Sequence, residues 1–401
     1  MKKVFLIEAK RTAIGKFGGS LATVSASDMA AEVIKTIISN TGINPADLDE
    51  VITGNVLSAG QRQGVSRQAA IKAGIPNEVP AYSLNMVCGS GMKAVSNAVS
   101  AIRAGEANLI LAGGTEAMSG APMLLPASVR TGTKMGDFKV IDHMILDGLW
   151  EAFNDYHMGN TAENIAEKYN ISREEQDQFA FASQTKAAKA QDAGNFKKEI
   201  IPINIVTRKE TIVFDQDEFI NRTTDLEKLA KLRPAFKKDG TVTAGNASGI
   251  NDGASYVLVA SEEAVEKFKL KPMAEIVAVG QGGVDPAIMG MGPVPAINNV
   301  LKKANMKLQD IEVLELNEAF AAQSLGVIKQ LCTDHGVDKS FFDERCNKNG
   351  GAIALGHPIG ASGNRIIVCL IHEMKRNNNK FGLASLCIGG GMGTAIILKN
   401  I

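Results

Sequence analysis

Apolar residues fall along this chain in short β-branched runs and in longer amphipathic stretches, and the two alternate from end to end. Val4, Phe5, Leu6 and Ile7 form one apolar block, ended by Glu8, which reads as a strand over residues 4–8. Residues 27–41 read as an amphipathic helix, opened by a Ser27/Asp28 cap and closed at Gly42. Residues 51–54 read as a strand, 91–104 as a buried helix rich in small residues, and 108–112 as a buried strand ending in Gly113-Gly114. Further along, a long helix is predicted over 172–193, stopped by Gly194-Asn195. A strand over 383–387 then runs into a glycine cluster. Strands alternating with helices predict an α/β fold.

The pattern also partly repeats. Residues 30–55 carry apolar positions, a turn and Asp47-Leu48-Asp49-Glu50-Val51-Ile52. Residues 296–317 carry the same order and end Asp310-Ile311-Glu312-Val313-Leu314, 263 positions later. The glycine-terminated strands 109–112 and 383–387 make a second match in the same order. Both predict duplicated α/β halves packed against each other. Residues 121–249 have no counterpart and are richer in charge, Met and Asn, so they are expected to be an insertion that covers the site and contacts the bulk of a ligand. The expected division is 1–120 with 250–272 for the first half, 121–249 for the insertion and 273–401 for the second half.

Composition narrows the function. The 401 residues exceed one simple core, so two or three domains are expected. With 43 basic against 43 acidic residues there is no reason to invoke nucleic acid or an anionic membrane. No apolar run reaches a membrane span. The start Met-Lys-Lys-Val-Phe-Leu-Ile-Glu imitates a signal peptide, but its apolar run is too short, so a reducing cytoplasm is the expectation. The five cysteines (88, 332, 346, 369 and 387) are scattered without a CxxC pair, which argues against a zinc site or a disulfide framework. There is neither a P-loop nor a dinucleotide-binding glycine signature, which argues against a nucleotide hydrolase or a dehydrogenase.

Three residues stand out because glycines frame them. They are Cys88 in Asn-Met-Val-Cys-Gly-Ser-Gly, His357 in Gly-His-Pro-Ile-Gly-Ala-Ser-Gly, and Cys387 in Cys-Ile-Gly-Gly-Gly-Met-Gly. Glycine lets backbone approach closely and turns backbone N–H groups toward a ligand. Thiols and an imidazole in such frames suit a nucleophile, a base and anion-stabilising amides. Cys88 lies at a strand-to-helix turn, where the helix dipole is expected to lower its pKa from about 8.5. An ordinary free cysteine is packing, and that reading is kept for Cys332, Cys346 and Cys369. His143, His335 and His372 sit among charged or helical neighbours and are expected to face solvent. Asn317 and Glu318 follow the strand-like stretch 313–316, at the strand edge where α/β folds bind ligands.

These motifs, with Asn-Glu-Ala-Phe from Asn317 to Phe320, resemble the thiolase family, and its short-chain acetyl-CoA acetyltransferases in particular, over essentially the whole chain. The resemblance implies two βαβαβαββ halves layered as α/β/α/β/α with a loop domain inserted in the first. It implies reversible Claisen condensation of two acetyl-CoA to acetoacetyl-CoA and CoA, with the thioesters as substrates and no further cofactor or metal. Cys88 would be acetylated, His357 would take its proton, and Cys387 would take the α-proton of the second acetyl-CoA. Asn317, through a water, and His357 would stabilise the enolate, while the amides of Cys88 and Gly389 would form the oxyanion site. CoA contacts would come from Leu149, His157, Phe236, Ala244, Ser248, Ala319 and Phe320, with a basic contribution from Arg222 or, in its place, Lys228. Met158 and Met289 would fill the room a longer acyl chain needs. A homotetramer is implied by the family alone.

Three other readings compete. A decarboxylating synthase of the same fold is disfavoured because Cys387 stands where a proton-abstracting thiol is expected. A degradative 3-ketoacyl-CoA thiolase for longer chains would use the same residues. A binding or scaffold protein is disfavoured by Cys88, Asn317, His357 and Cys387 occurring together.

Overall fold

The computed structural model describes residues 2–132 and 134–401. In chain order the first half carries β1 (Val4–Thr12), α1 (Ala26–Thr41), β2 (Glu50–Gly54), α2 (Val65–Lys72), β3 (Ala81–Leu84), α3 (Ser90–Ala104) and β4 (Leu109–Ala117). Helices α4 (Met158–Lys168) and α5 (Arg173–Asp192) follow, and then β5 (Asn251–Ser261). The second half carries β6 (Ala274–Gly283), α6 (Pro293–Ala304), β7 (Val313–Leu316), α7 (Ala321–His335), α8 (Ile359–Asn377), β8 (Phe381–Ile388) and β9 (Met392–Asn400).

The main strands lie in the order β7-β8-β9-β6-β1-β5-β4-β2-β3. In the first half, β2 runs parallel to β3 and β4, while β5 is antiparallel to both β4 and β1. The second half copies this, with β7 parallel to β8 and with β9 antiparallel to β8 and β6. The place of β3 is taken by a single parallel bridge from Leu314 to Cys346. Short 3-10 turns, Pro45–Asp47 and Leu308–Asp310, precede β2 and β7. The duplication expected from the sequence is therefore present.

Strand periodicity explains the layers. Along β4, Leu109 and Leu111 face the core under α1, while Ile110 and Ala112 face the core under α3 and α8. Strands buried on both faces read as continuous apolar runs, which is why the sequence shows blocks rather than alternation. The inner core joins Val95 and Val99 of α3, Ile367 and Leu370 of α8, and strand residues of both halves, including Val257 and Ile396. On the far side, Ile297 and Val300 of α6 cover Leu314, Leu383 and Ile397. The order is thus helices, strands, the central pair α3/α8, strands, helices.

Three element boundaries differ from expectation. Strand β1 continues beyond Glu8 because Arg11 is fully buried without being unpaired. Its guanidinium donates to both Asp217 oxygens (2.7 and 2.9 Å) and, through Nε, to Glu199 (2.8 Å). Helix α1 starts at Ala26 because Ser25, not Ser27, accepts from the Asp28 N–H (3.1 Å). Strand β4 runs straight through Gly113 and Gly114. A Cβ on Gly113 would strike Ser255 and Tyr256 of β5, and one on Gly114 would strike the Gly360 carbonyl, so close approach rather than a turn requires this pair.

Helix α5 carries the predicted start as a capping box between Ser172 and Glu175. Ile165 of α4 joins the core of the second half. His143 and His372 are buried rather than solvent-facing: His143 pairs with Asp147, and His372 Nε2 donates to the Ala9 carbonyl (2.9 Å). Among the described residues no helix is long and apolar enough to cross a membrane, and no group of three His, Cys, Asp or Glu is placed to hold a metal ion.

Candidate active site

Cys88 is carried on a strained turn between β3 and α3. Val87, a β-branched residue, has φ 46°, in the left-handed region that such side chains avoid. A conformation of this kind costs about 1–3 kcal/mol and persists where neighbours over-determine it. Here the Asn85 side chain accepts from the Val87 N–H (2.9 Å), and Ser90 Oγ accepts from the Met86 N–H (2.8 Å) while donating to the Val87 carbonyl (2.7 Å). The turn aims Cys88 into a cavity, and the N–H groups of Gly389 and of Cys88 itself point at its sulfur.

His357 opens α8 from the other half. Its Nε2 lies 3.3 Å from Cys88 Sγ, and its Nδ1 lies 2.6 Å from Ser362 Oγ. Ser362 donates its one proton to the Pro358 carbonyl (2.9 Å), so Nδ1 must be the donor toward Oγ. That leaves Nε2 without a proton, facing the thiol as an acceptor. The His357 N–H is held by Asn251 (2.9 Å), whose amide also donates to the Gly15 carbonyl (3.0 Å). Glu116 accepts from the N–H groups of Val56 (3.0 Å), Leu57 (3.0 Å) and Gly360 (2.9 Å) and from Asn55 Nδ2 (2.9 Å), tying the histidine loop to the first half. Burial pushes the Glu116 carboxyl up to about 7.

The electrostatics correct one expectation. Burial pushes the Cys88 thiol up to about 11, outweighing the two N–H groups that favour the thiolate, so the helix terminus does not leave a low-pKa cysteine. Burial, with a smaller push from Arg365, holds His357 down at about 3. The resting pair is therefore neutral thiol and neutral imidazole. Cys387, near the end of β8, is fully buried, and its thiol is pushed far above the ordinary range.

The cavity has a volume of about 620 Å³. It is lined by Cys88, His357, Cys387 and Gly389 together with Leu149, His157, Met158, Phe236, Ala244, Ser248, Met289, Ala319 and Phe320. The imidazole of His157 stacks on Phe236 (4.6 Å between ring centres, 17° between planes), and Phe236 meets Phe320 edge-on. The Ser248 N–H donates to the Ala319 carbonyl (2.9 Å), so the last turn of the insertion and the Asn-Glu-Ala-Phe loop form one wall.

Three predicted site residues lie elsewhere. Asn317 is buried behind the wall, its backbone N–H on the Ser385 carbonyl (3.0 Å) and its Oδ1 on Arg365 (3.0 Å). Arg222 is exposed and engaged with Asp192 and Gln191. Lys228 lines a neighbouring cavity that shares Lys16, Phe219 and Ala244 with the first. Sequence reasoning missed Lys16, Phe17, Val87 and Phe219 in the lining, and Ser362, Asn251 and Glu116 behind it. Val87 and Ser362 stand inside the glycine-framed motifs, and Glu116 is visible as a lone acid at the end of an otherwise apolar strand.

Two family models match this chain end to end: the thiolase N-terminal domain over residues 4–263 and the thiolase C-terminal domain over 270–400. The chain belongs to the thiolase family. This thiolase is 53% identical over 401 residues to the acetyl-CoA acetyltransferase of Cupriavidus necator, with 100% of both chains covered. It is 54% identical over the same span to the acetyl-CoA acetyltransferase of Pseudomonas aeruginosa, again with 100% of each chain covered. Among solved structures it superposes on the Bacillus anthracis acetyl-CoA acetyltransferase with a TM-score of 0.95 at 42% identity, covering 100% of this chain and 99% of the other. It also superposes on human mitochondrial 3-ketoacyl-CoA thiolase in complex with CoA, with a TM-score of 0.93 at 44% identity, covering 100% and 98%.

Proposed function

We propose that this thiolase is an acetyl-CoA C-acetyltransferase, joining two acetyl-CoA into acetoacetyl-CoA and CoA through an acetyl-Cys88 intermediate, and running the reverse thiolysis when CoA is plentiful. The observation that carries this is the contact of an unprotonated His357 Nε2 with Cys88 Sγ at 3.3 Å, on one cavity with Cys387. The full-length relatives bearing that name support it.

In the first half-reaction His357 takes the Cys88 proton as the sulfur attacks the thioester carbonyl. The Cys88 and Gly389 N–H groups face the charge that develops there, at roughly 2.7–4 kcal/mol for each such donor. CoA leaves as a thiolate and takes the proton of Cys387. Acetyl-Cys88, imidazolium and the Cys387 thiolate remain. In the second half-reaction the Cys387 thiolate takes the α-proton of a new acetyl-CoA. A thiolate pushed up by burial is a stronger base, and each pKa unit of narrowed mismatch is worth about 1.36 kcal/mol. The enolate, held by His357 and by Asn317 through a water, attacks the acetyl group. Cys88 departs and recovers its proton from His357, which restores every residue.

The pantetheine arm would run along the wall of Leu149, His157, Phe236, Ala244, Ser248, Ala319 and Phe320, and Met158 and Met289 would limit the acyl group to a short chain. Lys16, where the two cavities join, and Lys228, in the second of them, would meet the phosphates; Arg222 would do so only by leaving Asp192. No cofactor beyond the substrate thioesters is required. The enzyme would act as a homotetramer in the cytoplasm. A longer-chain 3-ketoacyl-CoA thiolase is the second reading, favoured by the superposition on the human mitochondrial enzyme.

The test is incubation with acetyl-CoA alone, following free CoA, acetoacetyl-CoA and the mass of the Cys88 peptide. Acetylation at Cys88 with acetoacetyl-CoA formed, or thiolysed on adding CoA, is the expected result. Reduced, folded protein that leaves Cys88 unmodified, yet thiolyses longer 3-ketoacyl-CoA, would replace the first reading by the second.

A further inference from the structure

We propose that Arg365 is a positioning residue for the enolate-forming half of the reaction: its buried guanidinium holds the Asn317 carboxamide oxygen and commits the amide nitrogen to the substrate. The inference rests on the acetyl-CoA reading above. Asn317 is 1% exposed and Arg365 1%, so neither side chain has bulk water to turn toward. Arg365 Nη2 donates to Asn317 Oδ1 at 3.0 Å. A guanidinium offers donors and no acceptor, so only the oxygen of the carboxamide can face it. The flipped amide would set donor against donor in a buried place.

The result is visible in the hydrogen bonding. Among the described residues Asn317 Nδ2 is a buried donor with no partner. Leaving such a group unmade costs about 1–3 kcal/mol, and its persistence suits a donor kept for a ligand or its water. Asn317 is next to the cavity wall made by Ala319 and Phe320, and its backbone is bonded to Ser385, two residues before Cys387.

A simple structural ion pair does not account for Arg365. Its carboxylate neighbour, Glu315, is 3.5 Å away, farther than Asn317, and burial pushes that carboxyl up to about 8, so Glu315 is a poor counter-ion at neutral pH. Arg365 Nη1 also approaches Cys369 Sγ at 3.9 Å, and its Nε has no partner. Arg365 thus bridges a longer contact to Glu315 and a closer one to Asn317, and its charge opposes protonation of resting His357. Arg365 lies on α8, the helix that His357 opens, so one rigid element sets both the base and the amide.

The experiment uses the full chain and its Arg365→Met, Arg365→Lys and Asn317→Asp forms, each checked for folding by circular dichroism. Two steps are read separately: release of CoA with acetylation of Cys88, and exchange of acetyl-CoA methyl hydrogens with D2O. Arg365→Met is expected to slow exchange about 100-fold, the cost of a misplaced group, while acetylation changes by less than about threefold. Arg365→Lys restores part of the exchange. Asn317→Asp, which keeps an oxygen on Arg365 but loses the donor, also slows exchange and keeps the inference testable if Arg365→Met does not fold. The acid limb of acetylation moves to higher pH in Arg365→Met, because a charge opposing the imidazolium is gone. Equal losses of acetylation and exchange, or unaltered exchange, would overturn the role of Arg365. Wild-type protein that neither acetylates Cys88 nor exchanges would overturn the acetyl-CoA reading, and this role with it.

Discussion

The two central helices invite comparison. Each is the last helix before the inner strand of its half, α3 before β4 and α8 before β8, and each is preceded by a side chain that lines the cavity. Cys88 stands before α3 and His357 before α8, and the packing of the two helices brings these residues to 3.3 Å. The halves also treat their thiols differently. Cys88 is partly open to the cavity, on a strained turn, with an imidazole and two N–H groups around its sulfur. Cys387 is enclosed in a strand that turns at Gly390 and Gly391, both at positive φ, and only its own backbone N–H is recorded near its sulfur among the described residues. One fold, used twice, thereby supplies a thiol paired with an imidazole and a second, more deeply buried thiol, the pair of environments that the proposed nucleophile and base would need.

The comparison breaks most completely if either thiol can do the other's work. Cys88→Ala is expected to lose acetylation and turnover by about 10⁴-fold or more, as removal of a nucleophile does. Cys387→Ala is expected to keep acetylation of Cys88 and lose acetoacetyl-CoA formation by a similar factor. Acetylation found at Cys387 by peptide mass would refute the division.

Next in size is the imidazole. His357→Ala is expected to slow Cys88 acetylation about 10²–10⁴-fold, the range for a positioned general base. Because His357 is held near 3 and Cys88 near 11, the wild-type acetylation rate should show no inflection near 6.5. A bell centred there in stopped-flow data would mean that the pair is not neutral at rest. The same shift has a stability consequence. Folding depresses the histidine pKa, so between about pH 3 and 6.5 the unfolded chain binds a proton that His357 refuses, and stability rises with pH across that window. Urea titrations over this range of pH measure it, and His357→Asn should flatten the slope.

A smaller effect tests the tautomer. Ser362→Ala removes the acceptor for Nδ1–H, and one net hydrogen bond of about 1 kcal/mol corresponds to a loss near fivefold to tenfold in acetylation rate. The smallest concerns the insertion. Arg222→Ala should change KM for acetyl-CoA by less than about twofold, because an exposed ion pair contributes about 0–1 kcal/mol and Arg222 is engaged away from the cavity. Lys16→Ala should change it more.

The glycine frames, the Asp47/Asp310 repeat and the alternation of strands and helices were enough to read the α/β class and the duplication from the chain alone, and to single out Cys88, His357 and Cys387, which the fold brings to one cavity. These are local signals, because a tight turn, a helix cap and a doubly buried strand each impose their residue types on adjacent positions. Only the tertiary structure decided the rest. Asn251 and Glu116 act across distances that no spacing encodes: Asn251 holds the His357 N–H from 106 positions away, and Glu116 and Gly360 are 244 positions apart and joined at 2.9 Å. The direction of the Cys88 shift was also beyond the sequence. A helix N-terminus is visible in the chain, but the desolvation that outweighs it is a sum over neighbours contributed by both halves, and it exists only once they pack.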